Sequence, residues 1–231
     1  MTKLGIVVKR AIIAGSGTLV VLLTALATFA WYSDSSVRAE HDERVRDLPG
    51  DELIPKPTGS ATHAISIRRS ALDVWPWLAQ MGSGRAGWYA YDSIDNGGRH
   101  SSERILPEFQ DIGVGTVFPA LPGVKDVFVV ARCEPEHTIV LAWRSPDGTY
   151  LTTWAFVLER PEPSRTRLIV RGRAAPGYSP YVPQWFAKLT APWVHAIIER
   201  KQLLAIRRRA EAAPLAVTLR KTDQYKERSC R

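Results

Sequence analysis

YLTTWAFVL, from Tyr150 to Leu158, places Tyr150, Thr152, Trp154, Phe156 and Leu158 at every second position. A period of two is the pattern of a β-strand with distinct faces. The same reading extends to both sides. Thr138 to Arg144 carries Ile139, Leu141 and Trp143 on one face, and Val127 to Cys133 is almost wholly apolar. Gly115 to Ala120 is a further short strand, and Thr166 to Arg173 alternates Leu168 and Val170 with Arg167, Ile169, Arg171 and Arg173. Pro146-Asp147-Gly148 and Glu162-Pro163-Ser164 are turn signals at spacings that suit antiparallel hairpins.

Upstream, His63, Ile65 and Ile67 alternate with Ala64, Ser66 and Arg68, which predicts another strand over Thr62 to Arg68. Ser70 followed three residues later by Asp73 marks a helix start. Leu72, Trp75 and Leu78 share one side of that helix, Pro76 falls just past its first turn, and Gly82 is a natural stop. Residues 82–111 are the least periodic, with short helices expected around Tyr91 and Ile105 and a break at Gly97-Gly98. Downstream, Tyr181 to Ala213 reads as helix, interrupted before Pro192. Trp193, Ala196, Ile197, Leu203 and Leu204 form its apolar stripe, and Arg200, Lys201, Arg207 and Arg208 its polar side.

Strand, short helices, several antiparallel strands and one long helix define an α+β chain. The arrangement that buries one face of such a sheet is a helix-grip: a curved antiparallel sheet wrapped around a long C-terminal helix, with space for a cavity between them.

Outside that domain the composition changes. AIIAGSGTLVVLLTALATFAWY, Ala11 to Tyr32, has 22 residues and no charge, long enough to span a bilayer as one helix. Trp31 and Tyr32 suit the interface, and Lys3, Lys9 and Arg10 precede the segment. The positive-inside rule then gives a single-pass cell-membrane protein with its domain on the extracytoplasmic side. A cleavable signal peptide ending at Ala25-Leu26-Ala27 is the alternative. The expected divisions are 1–32 for the N-terminal stub and transmembrane helix, 33–58 for an extended linker, 59–213 for the domain and 214–231 for a basic tail. The linker expectation rests on charge and on Ile54-Pro55-Lys56-Pro57.

Hydrophobic residues make up 45% of the 231 residues and charged residues 23%, which is a globular composition. The net charge of +8 is concentrated in the region from Arg200 to Arg231. A basic tail can touch anionic lipid or remain a solvated end; nucleic acid is not expected as a partner. Cys133 and Cys230 are too few and too far apart for a disulfide framework, and are expected as two free thiols.

VWPWLAQMGSGRAGWYAYD (Val74 to Asp92), SSERILPEFQDIGVG (Ser101 to Gly115), TRLIVRGR (Thr166 to Arg173) and IIERKQLLAIRRRAE (Ile197 to Glu211) together resemble bacterial proteins of the SRPBCC superfamily, the START/Bet v 1-like and polyketide cyclase-like proteins. The resemblance spans about Leu53 to Glu211. It implies a hydrophobic cavity under the last helix. It implies no catalytic residue, since a fold hosts many functions.

Gly82-Ser83-Gly84-Arg85-Ala86-Gly87 fits a GxGxxG string but follows a helix where a nucleotide-binding turn needs a strand, so it reads as a turn. Trp88, Tyr91, Asp92 and Asp95 form the most suggestive cluster: aromatic walls with polar tips suit an amphipathic ligand, and a carboxylate beside apolar rings can serve as acid or base. The competing reading makes the rings core, with Asp92 capping a helix or pairing with Arg85 or Arg104. Trp143 and Trp154 are expected as cavity wall. Arg171 and Glu199, if they face inward, must be paired, with a ligand headgroup or with each other; if they face outward they are ordinary surface charges. The five histidines show no metal-ligand spacing in the sequence, so no metal site and no cofactor are expected.

Three functions fit these features. The first is a membrane-anchored domain that binds a lipid or other hydrophobic small molecule. The second is a cyclase- or hydrolase-like enzyme with Asp92 or Asp95 as base and Arg171 or Tyr91 stabilising an oxyanion. The third is a non-catalytic envelope or interaction protein.

Overall fold

A computed structural model describes residues 21–22, 24–25, 27–29, 37–123, 127–178 and 183–213. Of the expected membrane segment only the helical residues between 21 and 29 fall among them. The basic tail lies outside them. Among the described residues no helix is long and apolar enough to cross a membrane.

The elements follow the expected order. A short helix α1 (His41–Val45) and a 3-10 turn (Asp51–Leu53) lead into β1 (Gly59–Ile67) and α2 (Ala71–Ala79). Then come α3 (Asp92–Asp95), a second 3-10 turn (Pro107–Phe109), β2 (Val117–Pro119), β3 (Val127–Glu134), β4 (Thr138–Arg144), β5 (Tyr150–Glu162), β6 (Arg165–Ala174) and α4 (Gln184–Ala212). The six strands form one sheet in the order β1-β6-β5-β4-β3-β2, with every neighbouring pair antiparallel. Register shifts at Val130/Arg132, Trp143/Arg144 and Glu159/Glu162 mark bulges, which bend and twist a sheet.

Ser70 caps α2 by accepting from the Asp73 amide. The inner sheet face presents Ile65, Ile67, Ile139, Leu141, Phe156, Leu158, Leu168 and Val170 to one core, shared with Val74, Trp75 and Leu78 of α2 and with Leu203, Ile206 and Ala210 of α4. This is a helix-grip. The interruption expected before Pro192 does not occur, because α4 runs through it. A proline removes one backbone donor, and the other turns of so long a helix remain bonded.

The outer face is also covered. Ala64, Val157 and Ile169 form a second core with Ala39 and Leu48. The stretch expected as an extended linker therefore packs on the sheet from Val37 to Ile54, and its charges explain how. Glu43 accepts from Arg167 Nε and Nη2, at 2.6 and 2.8 Å. Asp51 takes Arg171 at 2.5 Å and Arg173 at 2.9 Å. The Arg171 guanidinium also donates to the carbonyls of Arg46 and Glu43 and to the Thr62 hydroxyl. Gly50, at φ +94°, turns the chain so close to Val140 that a Cβ would lie 2.7 Å from its methyl group. Cys133 is disulfide-bonded, which overturns the expectation of two free thiols, and Cys230 lies outside the described residues.

Burial pushes the Glu43 carboxyl up, but the hydrogen bond and charge of Arg167 and the Glu40 amide outweigh it and leave it below its ordinary 4.5. A carboxylate lowered in the folded state stabilises the fold above its unfolded pKa, and that contribution is lost as pH falls through the folded value. Amides of 37–54 should thus keep their exchange protection at neutral pH and lose it on acidification below the ordinary carboxylate range, before the β5–β6 amides do. Hydrogen exchange followed against pH measures this. Simultaneous loss in both regions would show that the segment is not separately clamped.

Candidate functional site

Four side chains from three elements meet between the inner sheet face and α4. Alternation along β1 turns His63 inward with Ile65 and Ile67, all buried. Trp154 of β5 lies opposite Gly172 of β6. His195 and Glu199 are one turn apart on α4, so they share a face. Gly172 makes room for His195: a Cβ there would stand 3.1 Å from the imidazole.

Glu199 is fully buried. Its Oε1 accepts from Trp154 Nε1 at 2.8 Å. Its Oε2 is hydrogen-bonded to His63 Nδ1, and His195 Nδ1 stands 3.4 Å from that same oxygen. His195 Nδ1 is itself buried and forms no aligned hydrogen bond, although the His195 side chain as a whole is 40% exposed. Burial pushes the Glu199 pKa up; the charge and contact of His195, with His63, outweigh burial and hold the carboxyl at about 2. Burial pulls His195 down, and the negative charge of Glu199 more than offsets it, so the imidazole titrates above its ordinary value. The site is thus a buried anion with two imidazoles on one oxygen, open to solvent on the His195 side.

Aromatic rings line one flank. Trp154 stacks on Trp88 at 5.4 Å and also touches Phe156, Phe128 and His195. Trp88 is buried, and its N–H is satisfied by the Ala120 carbonyl at 2.9 Å. Trp143 lies on this face further along β4, half-buried.

The remaining residues singled out from the sequence lie elsewhere. Asp92 accepts from the Ser101 hydroxyl and amide at 2.5 and 3.1 Å. Asp95 caps the Tyr91 amide at 3.0 Å, and burial raises its pKa. Tyr91 carries the Lys201 ammonium 3.9 Å over its ring. The two aspartates therefore hold a loop; Asp92 is engaged by Ser101 rather than capping its helix. Arg171 is corrected outright. It points to the outer face, two positions from Ile169, and cannot meet Glu199, Asp92 or anything in the grip. A mechanism that pairs Asp92 with Arg171 has no geometry to support it. The Gly82–Gly87 string closes on itself, with both backbone hydrogen bonds formed between its end glycines. It wraps Arg85, whose guanidinium lies over Phe109 and Phe118.

His63 and His195 were not among the candidates read from the sequence. Two signals were present: the inward alternation of His63, and the four-residue step from His195 to Glu199.

No family model matches the chain, and no curated protein does. Similar solved structures exist. A Polyketide_cyc-like protein from Corynebacterium glutamicum is 17% identical, covers 73% of this chain and 98% of its own, and has a TM-score of 0.42. A protein from Mesorhizobium loti is 15% identical over 68% of this chain and 100% of its own, at a TM-score of 0.42. Norcoclaurine synthase from Thalictrum flavum is 15% identical over 73% and 95%, at 0.40. The first and last are SRPBCC-fold proteins, the group the sequence resembles. Likeness at this level carries no argument about substrate or activity.

Proposed function

We propose that this chain binds a lipid or other hydrophobic small molecule between its sheet and α4, with the polar end of the guest toward His63, Glu199 and His195. The observation that carries this reading is the leading half of α4. Trp185, Phe186, Leu189, Trp193 and Val194 are all exposed there, Trp185 at 69%. Trp185, Leu189 and Trp193 recur every four residues and so share one helix face. Contiguous exposed apolar surface of this kind marks a binding or membrane-contacting region. It ends at His195, where the polar site opens to solvent. An apolar lip leading to a charged floor matches an amphipathic guest. Removing its chain from water contributes roughly 25 cal/mol per Å² before ordering costs.

The SRPBCC resemblance of the sequence, which implies a hydrophobic cavity under the last helix, supports the same reading. The membrane anchor at Ala11 to Tyr32, the extracytoplasmic location and the contact of the basic tail with anionic lipid belong to the same proposal and rest on the sequence alone.

The test is extraction of the purified protein into organic solvent with mass spectrometry, beside titration with a fluorescent fatty acid. The expected result is a bound amphiphile and saturable binding that Leu189→Asp weakens at least about tenfold, which corresponds to about 1.4 kcal/mol. A clean extract with no saturable binding overturns the reading.

A further inference from the structure

The geometry points to a second property of the same site: His63, His195 and Glu199 form a binding site for a divalent transition-metal ion of the zinc type. One ligand atom from each of the three lies within 4.8 Å of the other two. Two imidazoles and a carboxylate are the ligand set of open metal sites, where three protein groups hold the ion and a fourth position is left for water or substrate.

The distances suit such an ion. Metal–nitrogen and metal–oxygen bonds of about 2.0–2.2 Å place neighbouring tetrahedral ligand atoms about 3.4 Å apart. His195 Nδ1 and Glu199 Oε2 already stand at 3.4 Å, a separation that suits a shared ion better than a direct hydrogen bond. The His63–Glu199 contact is tighter and must widen to admit the ion. Binding then replaces the hydrogen bond between those two groups with a shared ion. Each coordinating nitrogen must be free of its proton, which moves to the other ring nitrogen or to solvent, and no oxidant or co-reactant is involved.

Three further features support the assignment. His195 Nδ1 is buried without an aligned partner, an arrangement a metal bond would complete. Trp154 occupies Glu199 Oε1, which turns Oε2 toward both imidazoles; outer bonds of this kind orient metal ligands. The charges also suit the ion, because an ionised carboxylate with two neutral imidazoles offsets half the charge of a divalent cation in a buried site. The exposed edge of His195 supplies an entry path and the fourth position. The inference does not require an apolar guest, so the two readings can fail separately.

The experiment uses the full chain in detergent, stripped with chelator and of bound lipid. It is titrated with Co²⁺ as a spectroscopic probe and with Zn²⁺ in a calorimeter. The expected result is one ion per chain, with the intense visible absorption of low-coordinate Co²⁺ that Zn²⁺ abolishes. His195→Ala removes a ligand at a half-exposed position, where folding is least at risk, and should weaken Zn²⁺ binding by more than about tenfold. Trp154→Phe, which removes the supporting hydrogen bond and keeps an aromatic ring in the stack, should cost about 10- to 100-fold. Failure of the wild type to take up either ion, or unchanged affinity in His195→Ala, overturns the proposal. Fatty-acid binding measured on the same preparations reports separately on the guest.

Discussion

Asp51→Ala is expected to lower the unfolding free energy by about 3–5 kcal/mol, the usual cost of removing one partner from a buried ion pair. The carboxylate is buried and accepts from Arg171 at 2.5 Å, while also facing Arg173 at 2.9 Å. It further fixes the Leu48 amide at 3.0 Å. Deleting it leaves the Arg171 guanidinium, only 2% exposed, without its counter-charge under a lid of chain it no longer holds. The lid is itself apolar underneath, so its release uncovers Leu48 and Ala39 from the outer core as well. Arg132→Ala supplies the contrast, because Arg132 and Glu134 pair while half-exposed to solvent, and such pairs contribute about 0–1 kcal/mol. Urea unfolding of both variants measures the difference. A loss of less than about 1 kcal/mol in Asp51→Ala would show that residues 37–54 are not part of the cooperative unit.

That lid also shows where reading the sequence stops. The inner half of the fold was legible because local patterns decide it. Alternation in Thr138 to Arg144 and Tyr150 to Leu158 and the Ser70 cap each depend on neighbours in the chain, and all reappear in the structure; of the stripe expected on α4, Leu203 is buried while Trp193 stands exposed, and Ile206 and Ala210 complete the buried face. The outer half depends on pairing between distant charges. Glu43 and Asp51 look like solvated linker residues until Arg167, Arg171 and Arg173 are placed on one face of β6. Alternation grouped Arg171 with Ile169, but both faces of β6 are buried, and a period of two cannot say which face meets the helix. The site failed to show for the same reason. His63 and Glu199 are 136 positions apart, and no spacing rule reaches that far. Only the topology, with β1 brought beside β6 and α4 laid across both, makes them neighbours.

Glu199→Ala should be the second costly change, at about 3–5 kcal/mol. It removes the acceptor from Trp154 Nε1 and the partner from His63 Nδ1 in a buried place. Loss of stability alone would not distinguish a structural group from a functional one, since both leave buried polar atoms unmatched. The double variant His63→Leu/Glu199→Leu separates them. Water-excluded charges are expensive to bury, and exchanging a whole buried ionic set for packed apolar side chains is commonly neutral or stabilising by about 1–4 kcal/mol. If the set is present to meet a guest or an ion, the double variant should recover most of the stability lost in Glu199→Ala, or exceed the wild type, while losing binding. Its inner core already contains Ile65, Val170 and Leu203, which the new leucines would extend. Thermal unfolding and ligand titration on the three proteins decide it. A double variant that stays as unstable as Glu199→Ala would mean that the imidazole–carboxylate pair specifies how α4 seats on β1, and would make the site a structural device.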